Sequence, residues 1–192
     1  KTYAQVLIAL ANHNWQSIIE LLGNEQLNKL LPVANESSAE DHTSLMPSQV
    51  LAVYRFELIL ARAYRHVEMY DLANEQLGAF EQHSKNQPQC SLEIARLAVA
   101  RKDAKKAVLQ YRQATFDDLS CLSMSDFVSY VESLSMMGNQ AEIEQILSVA
   151  LEHYADNQAL RLVWAKHLFA KSDYRAFLEI SKQLETQKDA LT

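Results

Sequence analysis

Residues 61–80 read ARAYRHVEMYDLANEQLGAF, which is a run of small and aliphatic residues, a polar turn, and a second run that opens with an apolar residue. Ala61 and Tyr64 are three residues apart and therefore share one face of a first helix. Ala73 and Phe80 are seven residues apart and share one face of a second helix. This pattern predicts a helical hairpin.

The same pattern occurs five times along the chain. The equivalent apolar residues at the start of each second helix are Ile18, Ala73, Ala107, Ile143 and Phe177. Each of the last three steps between them measures about 34 residues, a period typical of two-helix repeats. The first step is longer and corresponds to one repeat plus an insertion. Because a helical hairpin cannot bury its apolar face alone, we expect successive copies to stack into a solenoid.

Two further positions recur in the first helices. Twelve residues before the alignment points stand small residues, as close helix packing requires: Val6, Ala61, Ala95, Val131 and Ala165. Nine residues before them stand Ala9, Tyr64, Ala98, Leu134 and Leu168, all apolar. The two positions lie three residues apart, so they predict one buried face on every first helix.

Capping residues mark several helix ends. Gly138 suits a left-handed turn, and Asp103, Asn139 and Asp173 are predicted N-caps of second helices. Ser123, three residues before an aspartate, predicts a capping box at the start of the fourth first helix.

In this register the chain resembles tetratricopeptide repeat (TPR) proteins. The run Ala61, Tyr64, Ala73, Leu77, Phe80 and the run Ala95, Ala98, Ala107, Tyr111, Ala114 follow the small–aromatic–Ala–aromatic–Ala order of that family. The resemblance covers nearly the whole chain but is degenerate. Pro is missing from most repeat ends, Glu25 replaces a small residue, and Ser181 replaces an aromatic one. Terminal repeats are expected to be atypical because they cap the stack.

The resemblance implies an all-α fold, a right-handed superhelical solenoid of about five helix-turn-helix repeats. We expect one repeat domain over residues 1–192, with repeats at 1–23, 48–84, 89–116, 124–155 and 157–187 and an insertion at 24–46. HEAT-like or other helical-hairpin repeats are the alternative, although their period is usually longer.

The insertion has a pattern of its own. Residues 24–31 predict a short extra helix that ends at Pro32, and residues 32–44 predict a mobile surface loop. Pro47 then begins a long helix that runs to about His66. The insertion is either an arm that contacts a partner or a tolerated loop. The tolerated loop is favoured because surface insertions cost little stability.

Composition argues against several classes of function. A formal charge of −6 argues against general binding of nucleic acid, which requires a basic surface. No apolar run approaches the roughly 18 residues of a membrane span. The six histidines are scattered, and there is no H-E-x-x-H, C-x-x-C or glycine-rich phosphate loop. The sequence therefore predicts a non-enzymatic protein with no catalytic residues, no metal site and no cofactor.

The two cysteines, Cys90 and Cys121, are too few for a disulfide framework. Reduced thiols are favoured, although a bridge between these two residues stays open. Reduced thiols indicate the cytoplasm. The chain lacks an initiator Met, which indicates a fragment of a larger protein, so a periplasmic or membrane-tethered location also stays open.

A recurrent basic position gives the best functional signal. Eleven residues before the alignment points stand Arg62, Arg96 and Lys166, with Leu7 and Glu132 in the other two repeats. Arg62 and Arg96 are one repeat apart, so a regular stack places them side by side. Arg55, Arg62 and Arg65 also form a single stripe along one helix.

In the TPR family this stripe faces the concave groove, which implies that the arginines grip a carboxylate. Arginine suits this role because its planar guanidinium donates two parallel hydrogen bonds to one carboxylate. The predicted partner-binding groove consists of Arg55, Leu58, Arg62, Arg65, Leu92, Arg96, Val99, Glu132 and Lys166. The competing interpretation, which is slightly favoured, is that the arginines pair with Glu57, Glu93 or Glu132 on a solvated face, where such pairs are weak.

An apolar stripe lies beside the basic one. Its members, each one helical turn before the recurrent basic position, are Tyr3, Leu58, Leu92, Val128 and Leu162. They form either the floor of a groove for an amphipathic helix or extended segment, or part of the core. The core is favoured.

The function expected from these features is that of a protein–protein interaction scaffold or adaptor that presents a concave groove to a peptide or helix, with an acidic segment as the candidate ligand. Self-association through the terminal repeats is also open. The alternative is a regulatory or sensor module, for example in a transcriptional regulator, that binds a small effector or signalling peptide. An enzyme domain that uses Cys or His chemistry ranks third.

Overall fold

The computed structural model describes residues 2–23, 47–83, 87–116, 118–155 and 157–189. Within these ranges the secondary structure is helical and contains no strand, which confirms the all-α prediction. The long helix predicted from Pro47 to His66 is present with these bounds. The predicted extra helix at 24–31 and the loop at 32–44 lie outside the described residues.

The described ranges contain ten α-helices and one 3-10 turn, Leu119–Cys121. In chain order the helices are α1 Thr2–Ala11, α2 Trp15–Leu22, α3 Pro47–His66, α4 Tyr70–His83, α5 Pro88–Ala100, α6 Ala104–Ala114, α7 Met124–Met136, α8 Gln140–His153, α9 Gln158–Ala170 and α10 Tyr174–Asp189.

The chain forms two compact units, Lys1–Arg101 with α1 to α5 and Lys102–Thr192 with α6 to α10. In the first unit α1 packs on α2, α2 on α3, and α3 on both α4 and α5, while α4 also packs on α5. In the second unit α6 packs on α7, α7 on both α8 and α9, α8 on α9, and α9 on α10. Within each unit, helices therefore pack on their immediate neighbours, and α3 on α5 and α7 on α9 are contacts between successive first helices.

The periodic positions are buried as the sequence predicts. All ten residues at the two recurrent positions of the first helices are buried: Val6, Ala9, Ala61, Tyr64, Ala95, Ala98, Val131, Leu134, Ala165 and Leu168. The alignment residue of the second helix is buried in four repeats and half-buried at Phe177.

Side chains of the first hairpin share a core with the helix that follows the insertion. Val6 and Ile18 of the first hairpin and Leu60 and Tyr64 of α3 belong to one buried cluster. The Trp15 ring stacks on the ring of the residue that ends α3, with centroids 4.1 Å apart and planes 4° apart. The first two hairpins are thus joined by packing.

One backbone geometry recurs at all five turns between paired helices. The residue five positions before each alignment point has a positive φ: His13 (52°), Glu68 (62°), Lys102 (60°), Gly138 (71°) and Ser172 (64°). Only the glycine was predicted from sequence. For a residue with a Cβ, left-handed helical geometry costs about 1–2 kcal/mol, so four of the turns are strained.

Gly138→Ala is expected to lower the free energy of unfolding by about 1 kcal/mol, because its positive φ disfavours a Cβ although no atom lies within 4 Å of one. Lys102→Gly should raise the free energy of unfolding by up to about 1 kcal/mol, because glycine adopts a positive φ without strain. Urea unfolding followed by circular dichroism measures both changes. Gly78→Ala is the matched control: it lies inside α4 and should be stabilising. Losses of equal size at Gly138 and Gly78 would contradict the strain argument.

The predicted caps form. The side chains of Asp103, Asn139 and Asp173 each accept a hydrogen bond from the backbone N–H three residues on. Ser123 and Asp126 form a reciprocal capping box at the start of α7. Each of these contacts satisfies a backbone donor that the helix itself leaves unpaired.

Candidate functional site

Three of the predicted groove arginines converge on one buried carboxylate in the first unit. Arg62 donates to Glu93 Oε1 from Nε, at 2.9 Å, and from Nη2. Arg96 Nη1 donates to the same oxygen at 2.5 Å. Arg65 Nη2 lies 3.7 Å from the other carboxylate oxygen, Oε2. These four residues are called the arginine cluster below.

Two helical spacings build the arginine cluster. Arg62 and Arg65 are three residues apart on α3, and Glu93 and Arg96 are three residues apart on α5. Residues at this spacing point to the same side of a helix. Because α3 packs on α5, the two pairs face one another across the contact between successive first helices.

Burial is graded across the arginine cluster. The Glu93 side chain is 2% exposed, whereas Arg65 is 17%, Arg96 is 24% and Arg62 is 37% exposed. The carboxylate therefore lies beneath the guanidinium groups, and solvent reaches them mainly through Arg62 and Arg96. Three positive charges meet the one negative charge of Glu93.

The sequence allowed two interpretations of the arginines, namely a groove that binds a partner and ion pairs within the chain. The structure contains features of both. It places Arg62, Arg65 and Arg96 side by side, as the predicted stripe requires. It also gives them Glu93 as a shared ionic partner, as the alternative interpretation predicted, but the Glu93 carboxylate is buried and does not lie on a solvated face. Arg55 lies on α3, where only its backbone is described. Binding of a partner at these residues stays a prediction.

The sequence itself contains a sign that Glu93 is buried, which is separate from the periodic apolar positions. Glu93 immediately follows the apolar-stripe residue of its repeat, where the other four repeats carry uncharged residues: Ala4, Ile59, Ser129 and Val163. A single acidic residue at a position that is otherwise uncharged indicates a partner of opposite charge on the facing helix.

The remaining groove residues lie in different environments. Leu58 is half-buried and packs against the core of the first unit, Leu92 is buried, and Val99 is half-buried. Glu132 and Lys166 belong to the second unit and are exposed. Both of them border a cavity of about 120 Å³ in that unit.

The apolar stripe belongs to the core in only part of the chain. Leu92 is buried and Leu58 packs against the core, as predicted. Val128 is half-buried. Leu162 is 49% exposed, so the core prediction is wrong there. Tyr3 lies on α1, where only its backbone is described.

His66 adjoins the arginine cluster at the end of α3. Its ring stacks on Trp15, and Arg65 Nη2 lies 3.4 Å from His66 Nε2. Burial lowers the pKa of His66, and the charge of Arg65 lowers it further. The imidazole is therefore held toward its neutral form and adds little charge to the arginine cluster near neutral pH.

A second ionic network, in the second unit, has balanced charges. Arg112 donates to Glu142 from Nε to Oε1 at 3.0 Å and from Nη2 to Oε2 at 2.5 Å. Tyr130 donates its hydroxyl to Glu142 Oε1 at 2.7 Å, and Asn139 Nδ2 donates to Oε2 at 2.6 Å. One cation meets one anion, and both carboxylate oxygens accept hydrogen bonds. This network ties α6, α7 and α8 together.

Acidification is expected to weaken the second unit through Glu142. The hydrogen bonds from Arg112, and then that from Tyr130, hold the pKa of this carboxyl below its usual 4.5. A lowered pKa in the folded state stabilises the fold above pH 4.5, and this contribution is lost as the pH falls through the folded-state pKa.

Glu142→Gln tests this contribution. The variant should lose about 1.5 kcal/mol of stability near neutral pH and should show a shallower loss below about pH 4.5. Urea unfolding from about pH 6 to about pH 3 measures both effects. Parallel pH profiles for the wild type and the variant would contradict the assignment.

The residues that the structure describes include potential metal ligands and both cysteines. Within them, no three His, Cys, Asp or Glu side chains gather as a metal site would require. Burial, followed by the negative charge of Glu81, raises the pKa of Cys90 to about 11, which disfavours the nucleophilic thiolate. Cys121 is exposed, and both cysteines are thiols. None of the helices in these ranges has the length and apolar character needed to cross a membrane.

No protein-family model, curated protein or solved structure matches this chain. The TPR resemblance therefore stays a prediction from the residues of the repeats.

Proposed function

We propose that this chain is a non-enzymatic protein–protein interaction scaffold whose face between α3 and α5 binds an acidic segment of a partner. We further propose that its hairpins form a TPR-like right-handed superhelical solenoid. The single observation that carries the binding function is the arginine cluster. It gathers three guanidinium groups around one carboxylate in a chain whose formal charge is −6.

The arrangement of the arginines supports this function. One bidentate guanidinium is enough to satisfy a carboxylate, yet three guanidinium groups surround Glu93. Bringing like charges together is unfavourable, and a bound anion offsets that repulsion. Glu93 holds the guanidiniums in fixed positions, so less conformational entropy is lost when a ligand binds.

Apolar residues adjoin the charged groups. Leu58 precedes Arg62 by one helical turn, and Leu92 precedes Arg96 by one turn. Val99 follows Arg96 by three residues and is half-buried. An acidic segment that also carries apolar side chains would therefore find both kinds of contact on these two helices.

The binding test uses a fluorescein-labelled, glutamate-rich decapeptide, with fluorescence polarisation as the readout. The double variant Arg62→Ala/Arg96→Ala is expected to weaken binding at least about tenfold, since two charge-assisted contacts are lost. Arg101→Ala is the matched control, because Arg101 lies in the same unit and pairs with the exposed Asp71. Undiminished affinity in the double variant would rule out the groove.

The solenoid is tested separately by small-angle X-ray scattering. A compact domain of 192 residues has a radius of gyration of about 16 Å. A superhelical stack should exceed this value clearly, whereas agreement with it would contradict the proposed architecture.

The alternative of a small-effector sensor has less support. The cavity beside Glu132 and Lys166 measures about 120 Å³. Pockets that enclose drug-sized ligands usually measure about 300–1,000 Å³. A second hollow of the same unit, beside Arg112 and Glu142, measures about 510 Å³, but it is largely open to solvent and so would not enclose a small ligand. Cytoplasmic location and self-association through the terminal repeats stay predictions from the sequence.

A further inference from the structure

One position of the first helices is buried in every repeat except the first. It lies ten residues before the alignment points, and the residues buried there in the other four repeats are Ala63, Leu97, Ser133 and His167. In the first repeat the same position holds Ile8, which is 61% exposed. The burial of this position therefore depends on a neighbour that α1 lacks.

That neighbour is the preceding second helix. Each later first helix packs on the second helix before it: α3 on α2, α5 on α4, α7 on α6 and α9 on α8. In the last of these contacts, His167 Nε2 of α9 lies 3.5 Å from Glu144 Oε1 of α8. Glu144 directly follows the alignment residue Ile143. No helix comes before α1 in the described part of the chain, so the equivalent face of α1 is uncovered.

The last second helix, α10, has the complementary gap. The alignment residue and the residues four and seven positions after it are buried in α4, α6 and α8: Ala73, Leu77, Phe80, Ala107, Tyr111, Ala114, Ile143, Leu147 and Ala150. In α10 these positions hold Phe177, Ser181 and Leu184, which are only half-buried. The next residue after the alignment position, Leu178, is 55% exposed. Because no helix follows α10 within the described residues, this face lacks a first helix to cover it.

The two uncovered faces match one another. Ile8 has the repeat position of His167, and Leu178 has that of Glu144, so the contact between α8 and α9 pairs these two positions. The same contact between two copies would bring together two exposed aliphatic side chains. The sequence of α1 contains no charged residue, and the half-buried residues of α10 are uncharged. Neither face therefore has to desolvate a charge when the two meet.

We infer that two copies of this chain associate head to tail, with α1 of one copy packed against α10 of the next. The contact is heterologous, so it builds open chains unless the rotation between copies closes a ring. A second copy is favoured over an unrelated helix, because its two helices repeat a contact that already forms four times within this chain. The inference goes beyond the binding of an acidic segment and does not depend on it.

Sedimentation velocity over a range of concentrations tests the association, with the whole chain as the sample. The wild type should form dimers and larger species as its concentration rises. Ile8→Glu and Leu178→Glu should each weaken association at least about tenfold, because each places a charge where an aliphatic side chain becomes buried. Leu109→Glu is the matched control and should associate like the wild type, since Leu109 is 59% exposed on α6, which belongs to neither face.

A mixture of the two variants separates a head-to-tail contact from a symmetrical one. The Ile8→Glu variant keeps Leu178, and the Leu178→Glu variant keeps Ile8, so one intact contact can form between them. We expect the equimolar mixture to form dimers at concentrations at which each variant alone is monomeric. Circular dichroism shows that each variant is folded before it is mixed.

Each contrary result would overturn the inference. A wild type that stays monomeric at every concentration would do so and would leave the proposed binding of an acidic segment standing. If Leu178→Glu associated like the wild type, α10 would not be the partner of α1. A mixture that stays monomeric would exclude the head-to-tail contact. Equal losses in Leu109→Glu and Ile8→Glu would mean that exposed apolar residues associate without a defined face.

Discussion

Glu93→Gln is expected to lower the free energy of unfolding by about 3 kcal/mol, at the lower end of the range for removing one partner of a buried ion pair. The substitution keeps the shape of the side chain but removes the charge shared by Arg62, Arg65 and Arg96. The three guanidinium groups then repel one another without this counter-charge. The lower end of the range applies because these groups are partly exposed. Urea unfolding followed by circular dichroism measures the change.

A matched control separates this effect from a general loss of charge. Glu75 is exposed on α4 in the same unit, so Glu75→Gln should change stability by less than about 0.5 kcal/mol. Added inorganic phosphate should stabilise Glu93→Gln more than it stabilises the wild type, because an anion replaces the missing charge. If Glu93→Gln and Glu75→Gln had equal effects, the buried carboxylate would not hold the two helices together.

Phe127→Ala is expected to cost about 3–5 kcal/mol, the usual result of deleting a fully buried aromatic ring. Phe127 is buried on α7, and its ring meets that of Tyr154 edge-to-face, with centroids 6.0 Å apart. The Tyr154 hydroxyl donates to the Leu122 carbonyl at 3.4 Å. The substitution therefore leaves a cavity and also loosens the end of α8. The shift in the urea midpoint measures the loss.

Phe116→Ala is the matched control for this variant, since it removes the same ring from a side chain that is 86% exposed. Its effect should stay within about 0.5 kcal/mol. Two losses of similar size would contradict the assignment of Phe127 to the core of the second unit.

Helix periodicity could be predicted from the sequence because it depends on local spacing. A small residue at the position of Ala61 and an apolar residue at the position of Tyr64 recur in register, and the structure buries both positions in every repeat. The turns could be predicted only in part. Gly138 indicated a left-handed residue, but Glu68 and Lys102 adopt the same geometry without a glycine. Tertiary packing fixes those turns against the local preference of the residue.

The candidate site could be predicted only as a set of neighbouring residues. Spacing placed Arg62 beside Arg96, because one repeat separates them. The spacing does not show which of the three acidic residues pairs with these arginines, because the pairing depends on which face of α5 packs against α3. Leu162 shows the same limit: its place in the repeat matches that of Leu92, yet its side chain is exposed. Burial depends on the neighbouring helices as well as on position within the repeat.

The packing between the first hairpin and α3 has a consequence for the evolution of this chain. Side chains such as Ile18 and Leu60 join the two elements, so the covalent connection between them can vary in length. Each doubling of a flexible connection costs only about 0.6 kcal/mol of closure entropy. This junction is therefore a place where new sequence, even a whole binding module, can be acquired while the two hairpins keep their shape.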